Sequence, residues 1–307
     1  MIAKRTALLG AKGFAMGMAD IVPGVSGGTI ALITGIYDEL IATISSVNKS
    51  FFQKLLNWDL KAIKEHLNLS FILPLFLGII SAIFLMSRLM HFLMGTYPVY
   101  TWSLFFGLIL ASVLIVGKMI PNLLSPRHMC LLLLGSVVGV IAVSLIPVQT
   151  PDTPSLFFLS GCIAICAMIL PGISGSFILL ILGKYLPVTA ALKNPFLEDN
   201  LLIIIVFSLG CLTGLLSFSK VLNFLLSRYH SLTMSVLTGF MLGSLKKIWP
   251  WKRVLESQII RGKEYVLAEQ NILPSAMDQE LVFAIFFMLI GFVGIILLEK
   301  IAKPSAL

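Results

Sequence analysis

Charged residues are scarce in this chain: Asp, Glu, Lys and Arg together make up 12% of it, against 58% of hydrophobic residues. The mean hydropathy of +1.01 is far above that of a soluble domain, so the composition predicts a protein whose solvent is the lipid bilayer. The excess of 22 basic over 14 acidic residues lies in short stretches between long apolar runs. This distribution favours contact with anionic membrane lipids and argues against nucleic acid as a partner.

Residues that commonly bind metals or carry out catalysis are few and scattered. The four cysteines include no Cys-x-x-Cys pair and the four histidines show no ligand spacing, so the sequence predicts no metal site and no cofactor. A Pro-Ser-Gly-His motif and clustered carboxylates are also missing, so no catalytic residue is predicted. Lys12 and Asp20 interrupt the first apolar stretch, which indicates an uncleaved membrane segment and not a signal peptide.

Long apolar runs predict at least six membrane-spanning helices, because about 20 apolar residues cross the hydrocarbon core. These predicted spans lie at 71–94, 98–118, 129–148, 201–226, 231–245 and 281–298. Two further apolar stretches, 13–46 and 155–192, are interrupted by Pro-Gly and small polar residues. They are predicted to be broken hairpins that line protein or a wet cavity. Residues 50–68 have apolar side chains at helical spacing with lysines between them, which predicts an amphipathic helix at the membrane interface.

The sequence repeats itself in two registers. Shifted by 148 residues, Pro23-Gly24-Val25-Ser26-Gly27-Gly28 overlays Pro171-Gly172-Ile173-Ser174-Gly175-Ser176. Shifted by 132 residues, Tyr97 overlays Tyr229. We therefore predict an all-α polytopic membrane protein with two inverted repeats, 1–150 and 151–307, each a broken, re-entrant helical hairpin followed by three transmembrane helices.

The inversion depends on how each hairpin meets the membrane. A hairpin that re-enters, or that crosses twice, gives each half an odd number of crossings, and inverted halves place a transporter's substrate between them. A hairpin that crosses once makes the halves parallel, and the sequence leaves this open. The early lysines and arginines predict a cytoplasmic N-terminus in a bacterial inner membrane. The same topology puts the basic loop 246–280 outside, against the positive-inside rule.

The two Pro-Gly motifs are the predicted substrate site. Pro ends one half-helix, Gly relaxes the backbone, and Ser caps the helix that begins again, so each motif presents N–H groups to an anion. The predicted substrate-binding residues of the motifs are Pro23, Gly24, Ser26, Gly27, Gly28, Thr29, Pro171, Gly172, Ser174, Gly175 and Ser176. The alternative is that Pro and Gly only mark packing kinks, which accounts for one motif better than for two in matching positions.

Charged residues inside or beside apolar stretches are the remaining candidates. Arg88 and Lys220 occupy equivalent places in the repeat and are predicted to contact a phosphate, with snorkelling to the interface as the alternative. Asp20 and Glu39 flank the first hairpin, whereas the second has apolar residues such as Met168. A buried Asp20 that titrates would couple transport to H⁺ or Na⁺, while an exposed hairpin end is the simpler interpretation of Glu39.

A resemblance to a known bacterial family rests on four segments. They are Gly17-Met18-Ala19-Asp20-Ile21-Val22-Pro23-Gly24-Val25-Ser26-Gly27-Gly28-Thr29, Gly35-Ile36-Tyr37, Pro171-Gly172-Ile173-Ser174-Gly175-Ser176 and Gly243-Ser244-Leu245 with Trp249-Pro250-Trp251. In these the chain resembles the undecaprenyl-phosphate (polyprenyl-phosphate) translocase family, formerly a domain of unknown function. The resemblance implies a flippase that returns the monophosphate lipid to the inner leaflet for peptidoglycan and other cell-envelope synthesis.

Two other functions stay open at this point. An ion-coupled carrier of a small soluble anion would use the same half-helix ends. A membrane lipid phosphatase would handle related substrates, but the catalytic residues it needs are missing from the sequence.

Overall fold

The computed structural model describes residues 2–302 apart from 22–24, 49–50, 52, 55–56, 58–67, 146–147, 149, 198–199, 261–262 and 275–276. Its elements are α1 (Ile2–Ile21), α2 (Gly27–Ile33), α3 (Tyr37–Ser45), α4 (Leu69–Thr96), α5 (Pro98–Met119), α6 (Pro126–Ser144), α7 (Pro154–Ile169), α8 (Gly175–Ile181), α9 (Tyr185–Lys193), α10 (Asn200–Ser244), β1 (Lys252–Ile260), β2 (Lys263–Asn271) and α11 (Gln279–Ala302). The interfacial helix predicted at 50–68 lies largely outside the described residues, as do Pro23 and Gly24.

Five of the described helices, α4, α5, α6, α10 and α11, are long and apolar enough to cross a membrane. Helix α10 has 45 residues, about twice the length that one crossing needs. Its backbone leaves the helical conformation at Tyr229, between the stretches predicted at 201–226 and 231–245. The protein is therefore a mostly helical, multi-pass membrane protein.

Both predicted hairpins are broken, but each contains a second bend that the sequence analysis missed. Helix α2 bends away from α3 by 119°, and α8 from α9 by 114°. The bends follow Gly35 and Gly183, whose φ values of +70° and +66° are readily adopted only by glycine. In both turns two backbone hydrogen bonds reach back to the end of the preceding short helix, as in the common glycine-terminated helix end.

The joint between the first two long helices recurs in the second half. Tyr97 separates α4 from α5 with φ −130° and ψ 55°, and its repeat equivalent Tyr229 kinks α10 with φ −132° and ψ 41°. The Tyr97 ring lies edge-on to Phe92 at 6.2 Å, and the Tyr229 ring edge-on to Phe224 at 6.4 Å. The repeat found in the sequence thus reproduces the same local break twice.

Helix packing within each half follows the same register. Gly13 of α1 packs directly against the carbonyl of Leu75 in α4, and its equivalent Gly161 of α7 packs against the carbonyl of Phe207 in α10. A Cβ at either glycine would overlap the neighbouring backbone. Because glycine has no side chain, the backbone of α1 contacts that of α4, and the backbone of α7 contacts that of α10.

The last helix of each half packs against the other half. Gly107 of α5 lies against the Met288 carbonyl of α11, and its equivalent Gly239 of α10 lies against the Leu132 carbonyl of α6. Helices α5 and α11 therefore form one close pair, and α6 and the second part of α10 form the other. Each pair takes one helix from each half.

The prediction of an all-α protein is wrong at 252–271. There β1 and β2 form a two-stranded antiparallel sheet that pairs Lys252 with Asn271 and Ile260 with Lys263. The two strands contain β-branched residues such as Val254 and Val266, which favour strand over helix. The segment is also too polar to cross the bilayer.

Candidate functional site

The two predicted breaks contact each other. The backbone N–H of Gly172 donates a hydrogen bond to Thr29 Oγ1 at 3.1 Å. Both residues are buried, and Thr29 is 0% exposed. Residues of the two motifs, far apart in the chain, therefore lie side by side inside the protein.

The first hairpin also covers the C-terminal end of α7. The last carbonyl groups of a helix have no partner within it, and here two of them accept hydrogen bonds from the other half. Ser26 Oγ donates to the Met168 carbonyl at 3.1 Å, and Tyr37 Oη donates to the Ile169 carbonyl at 3.2 Å. These bonds hold the end of α7, which directly precedes the second break, against the first hairpin.

Helix α2 begins with two side-chain caps. Asp20 Oδ1 accepts a hydrogen bond from the Gly27 N–H at 2.7 Å, and Ser26 Oγ accepts one from the Gly28 N–H at 3.1 Å. Ser26 acts as the cap that the sequence predicts. The role of Asp20 as a second cap was missed, because a carboxylate seven residues before the amide it binds gives no local pattern.

Helix α8 begins differently from α2. Ser174 makes no side-chain cap bond, and its Oγ lies 2.7 Å from Ser176 Oγ. The residue equivalent to Asp20 is Met168, whose side chain packs beside Gly175 and accepts no hydrogen bond there. The two helix starts are therefore chemically unequal: a carboxylate satisfies the first, and no carboxylate of the described residues bonds to the second.

The predicted phosphate contacts Arg88 and Lys220 lie on helix surfaces. Both are exposed, and in the described part of the chain neither makes a hydrogen bond or an ion pair. Glu39 lies at the end of the first hairpin, where its Oε1 accepts hydrogen bonds from Arg5 at 3.2 Å and Asn68 at 3.0 Å.

A polar cluster that the sequence analysis missed lies near the second break. Glu269 Oε1 is 2.8 Å from Lys247 Nζ and 3.1 Å from Lys252 Nζ. Lys247 Nζ also lies 4.5 Å from the centre of the Phe177 ring in α8. In the sequence these lysines belong to the basic loop 246–280, and their carboxylate partner lies across a hairpin that was not predicted.

Two cysteines contribute to the packing of α7 against α10. Cys162 Sγ lies 3.0 Å from the Gly210 carbonyl and Cys166 Sγ lies 3.7 Å from the Gly214 carbonyl, so both tie α7 to α10. Across the described ranges, no group of three or more His, Cys, Asp or Glu side chains is placed to hold a metal ion.

Comparison with known proteins identifies relatives of this chain. A Vibrio cholerae serotype O1 (strain ATCC 39315 / El Tor Inaba N16961) protein named polyprenyl-phosphate transporter is 42% identical over 299 residues, covering 95% of this chain and 96% of the relative. A Staphylococcus aureus (strain NCTC 8325 / PS 47) protein of the same name is 32% identical over 253 residues, covering 78% and 84%. No solved structure matches the chain. Residues 16–265 match the family described as undecaprenyl phosphate translocase-like, and the chain belongs to that family.

Proposed function

We propose that this protein is a flippase that moves undecaprenyl phosphate across the bacterial cytoplasmic membrane, so that the carrier lipid is reused in peptidoglycan and cell-envelope synthesis. Two relatives named polyprenyl-phosphate transporter, each matched over most of its length, support this substrate class. The structural observation that carries the proposal is the hydrogen bond between Gly172 and Thr29. Through it the two anion-friendly motifs contact each other inside a membrane protein.

The head group would bind where the two breaks meet. Helices α2 and α8 begin there with Gly27 and Gly175, and glycines at a helix start let a phosphate approach the backbone N–H groups. The described residues of both motifs are mostly buried in this structure. Admitting a phosphate therefore requires the hydrogen bonds between the breaks to open, which makes this arrangement the closed state of the site.

Inverted halves would give the site two-sided access. The repeated kink at Tyr97 and Tyr229 and the matched glycine contacts of the two halves support a duplicated architecture. In an inverted pair, the half-helix starts face each other near the middle of the membrane, and rocking one half against the other exposes them to either side. The N-terminus would then lie in the cytoplasm, with its lysines and arginines near anionic lipids.

The isoprenoid tail would lie in an apolar groove beside the second break. A cavity of about 440 Å³ is lined almost wholly by apolar side chains of α6 and both parts of α10. Leu170, which directly precedes Pro171, lines one part of it, and the kink residue Tyr229 lines another. A lipid whose phosphate sits at the break would thus find an apolar path for the first part of its tail.

Arg88, Lys220 and Glu39 would act outside the closed site. Because Arg88 and Lys220 are exposed on α4 and α10, they would meet the phosphate only as the lipid approaches along the surface of the protein. Asp20, in the last turn of α1, is the better coupling candidate, since its carboxylate accepts a hydrogen bond at the start of α2. Protonation or Na⁺ binding at Asp20 would weaken its bond to Gly27 and so loosen the first break, with H⁺ or Na⁺ as the coupling ion.

Transport assays in vesicles test this function. Vesicles that contain the purified protein should move fluorescent undecaprenyl phosphate between leaflets faster than empty vesicles do. Ser26→Leu and Ser174→Leu should abolish this movement, because each fills a buried position at a break. Ser217→Leu, at an exposed position of α10, is the matched control and should move the lipid normally. Equal rates in empty and protein-containing vesicles would refute the proposal.

A further inference from the structure

Two lysines share a single carboxylate at the base of the β-hairpin, and a third lysine lies next to them in the chain. Lys247 and Lys252 share one oxygen of Glu269 at 2.8 and 3.1 Å, and Lys246 Nζ donates to Ser144 Oγ at 2.7 Å. We call Lys246, Lys247, Lys252 and Glu269 the lysine cluster. Three ammonium groups and one carboxylate leave the cluster with a net positive charge.

The positive charge of the lysine cluster is only partly compensated. The side chains of Lys247 and Lys252 are 18% and 9% exposed, so both are largely withdrawn from water. Burial lowers the pKa of Lys252 to about 8 even though Glu269 opposes the shift. Burial alone would raise the pKa of Glu269, but Lys252 and Lys247 lower it. A second anion would therefore stabilise the cluster, because buried like charges are unfavourable without a partner.

A cavity of about 390 Å³ opens at the lysine cluster. Lys246, Lys247 and Glu269 line it together with the polar side chains of Gln270 and Asn271. Its other lining residues are mostly apolar, and they include Val143, Leu145, Phe177 and Leu255. A cavity lined by charged residues on one part and apolar residues on the rest suits an amphiphile whose head group is a compact anion.

The cavity lies near the second break, through Phe177 of α8. Lys247 stacks over the ring of Phe177, which lies two residues after the start of α8. The Lys247 N–H donates to the Ser244 carbonyl at 2.9 Å, and the hydroxyl of Ser244 lies against Gly172. A head group that leaves the second break along α8 would therefore meet Lys247 next.

We propose that the lysine cluster is a binding site for a phosphomonoester, and that it holds the phosphate of the lipid as the head group enters or leaves the second break. The presence of an anion site follows from the cluster and its cavity alone. That the anion belongs to a polyprenyl phosphate rests on the proposed function. A lipid phosphate and free inorganic phosphate share the same recognition chemistry, so the experiment compares them.

Calorimetric titration of the full-length protein in phosphatidylcholine nanodiscs tests the site. Farnesyl phosphate, a short polyprenyl phosphate, should bind, and Lys247→Gln should weaken its binding by about tenfold or more, because a charge-assisted hydrogen bond is lost. Lys193→Gln, at an exposed lysine of α9, should leave the affinity unchanged. Tighter binding of farnesyl phosphate than of inorganic phosphate assigns the site to the lipid. Equal affinities would keep the anion site and overturn its assignment to the lipid.

Glu269→Gln gives a test of opposite sign. This change removes the carboxylate that competes for Lys247 and Lys252, so farnesyl phosphate should bind several-fold more tightly. A purely structural ion pair would instead give unchanged or weaker binding, which overturns the proposal. Lys247→Arg, which keeps the charge, should retain binding and shows whether loss of fold accounts for the Gln variant.

The same variants separate this proposal from the proposed function. If the vesicles move undecaprenyl phosphate and Lys247→Gln changes neither binding nor transport, the lysine-cluster site is wrong and the flippase stands. If the protein moves no lipid but Lys247→Gln still abolishes phosphate binding, the anion site stands and the flippase is wrong.

Discussion

Thr29 accepts a hydrogen bond from the backbone N–H of Gly172 at 3.1 Å, which joins the two halves of the chain at their breaks. Thr29→Val keeps the shape of the side chain but leaves the buried N–H of Gly172 without its partner. We expect the free energy of unfolding to fall by about 1–3 kcal/mol, measured by denaturation in detergent. Thr238→Val is the matched control, since the Thr238 hydroxyl donates to Met234 in its own helix. Equal losses in both variants would contradict a special role for the contact.

Ser26 and Ser174 are equivalent in the repeat but should differ in their contributions to stability. Ser26 caps Gly28 and bonds to Met168, whereas Ser174 makes no cap bond. Ser26→Ala should therefore cost about 1 kcal/mol as a lost cap, and more than Ser174→Ala. Thermal unfolding of the two variants side by side measures the difference. A larger loss for Ser174→Ala would show that the caps are not the source of the asymmetry.

Asp20→Asn tests ion coupling without removing the cap. Asparagine keeps an oxygen that can accept the Gly27 N–H but carries no charge. We expect a folded protein whose lipid movement no longer responds to an imposed pH or Na⁺ gradient. Asp20→Leu, which loses the cap as well, should also be less stable by about 1 kcal/mol. Transport by the Asn variant that still follows the gradient would rule out Asp20 as the coupling residue.

Gly35→Ala tests the turn between α2 and α3. No atom lies within 4 Å of the position of an added Cβ, so the cost comes from φ alone. At φ +70° an alanine should destabilise the protein by about 1 kcal/mol. Gly95→Ala, in the last turn of α4 and equally free of neighbours, should be neutral or stabilising because alanine favours helix. Chemical denaturation of both variants measures the contrast.

Lys184 ties the linker between the halves to the second hairpin. Its Nζ, 0% exposed, donates to the carbonyls of Thr150 and Pro151 at 2.9 and 2.7 Å and to Asp152 at 2.5 Å. Lys184→Met should lower the free energy of unfolding by about 1.5–3 kcal/mol, since bonds to a charged donor are lost. Lys193→Met, at an exposed position of α9, should change it little. A neutral effect of Lys184→Met would show that the linker is held by its other hydrogen bonds, those of Val148 and Thr150 to the second hairpin.

The broken hairpins were predictable because Pro-Gly inside an apolar run frees backbone groups, and in a membrane such backbone must line protein or water. The repeat predicted that the two breaks lie together. It did not predict which residues join them, because the Thr29–Gly172 bond connects residues far apart in the chain. The turns at Gly35 and Gly183 were missed because a single glycine in an apolar stretch is also common in straight membrane helices.

The lysine cluster was missed for a different reason. Lys247 and Glu269 are ordinary charged residues in a polar segment, and only the pairing of β1 with β2 brings them together. Strand pairing of this kind depends on contacts between distant residues more than on local propensity. The exposure of Arg88 and Lys220 could not be predicted either. Equivalence in a repeat fixes a residue's place along a helix but not the direction of its side chain.

The two helix pairs that each take one helix from each half have a consequence for the halves taken singly. Because α11 lies against α5 and α6 against α10, residues 1–150 or 151–307 alone would leave the packing face of their last helix without its partner. We therefore expect neither part to fold as an independent unit.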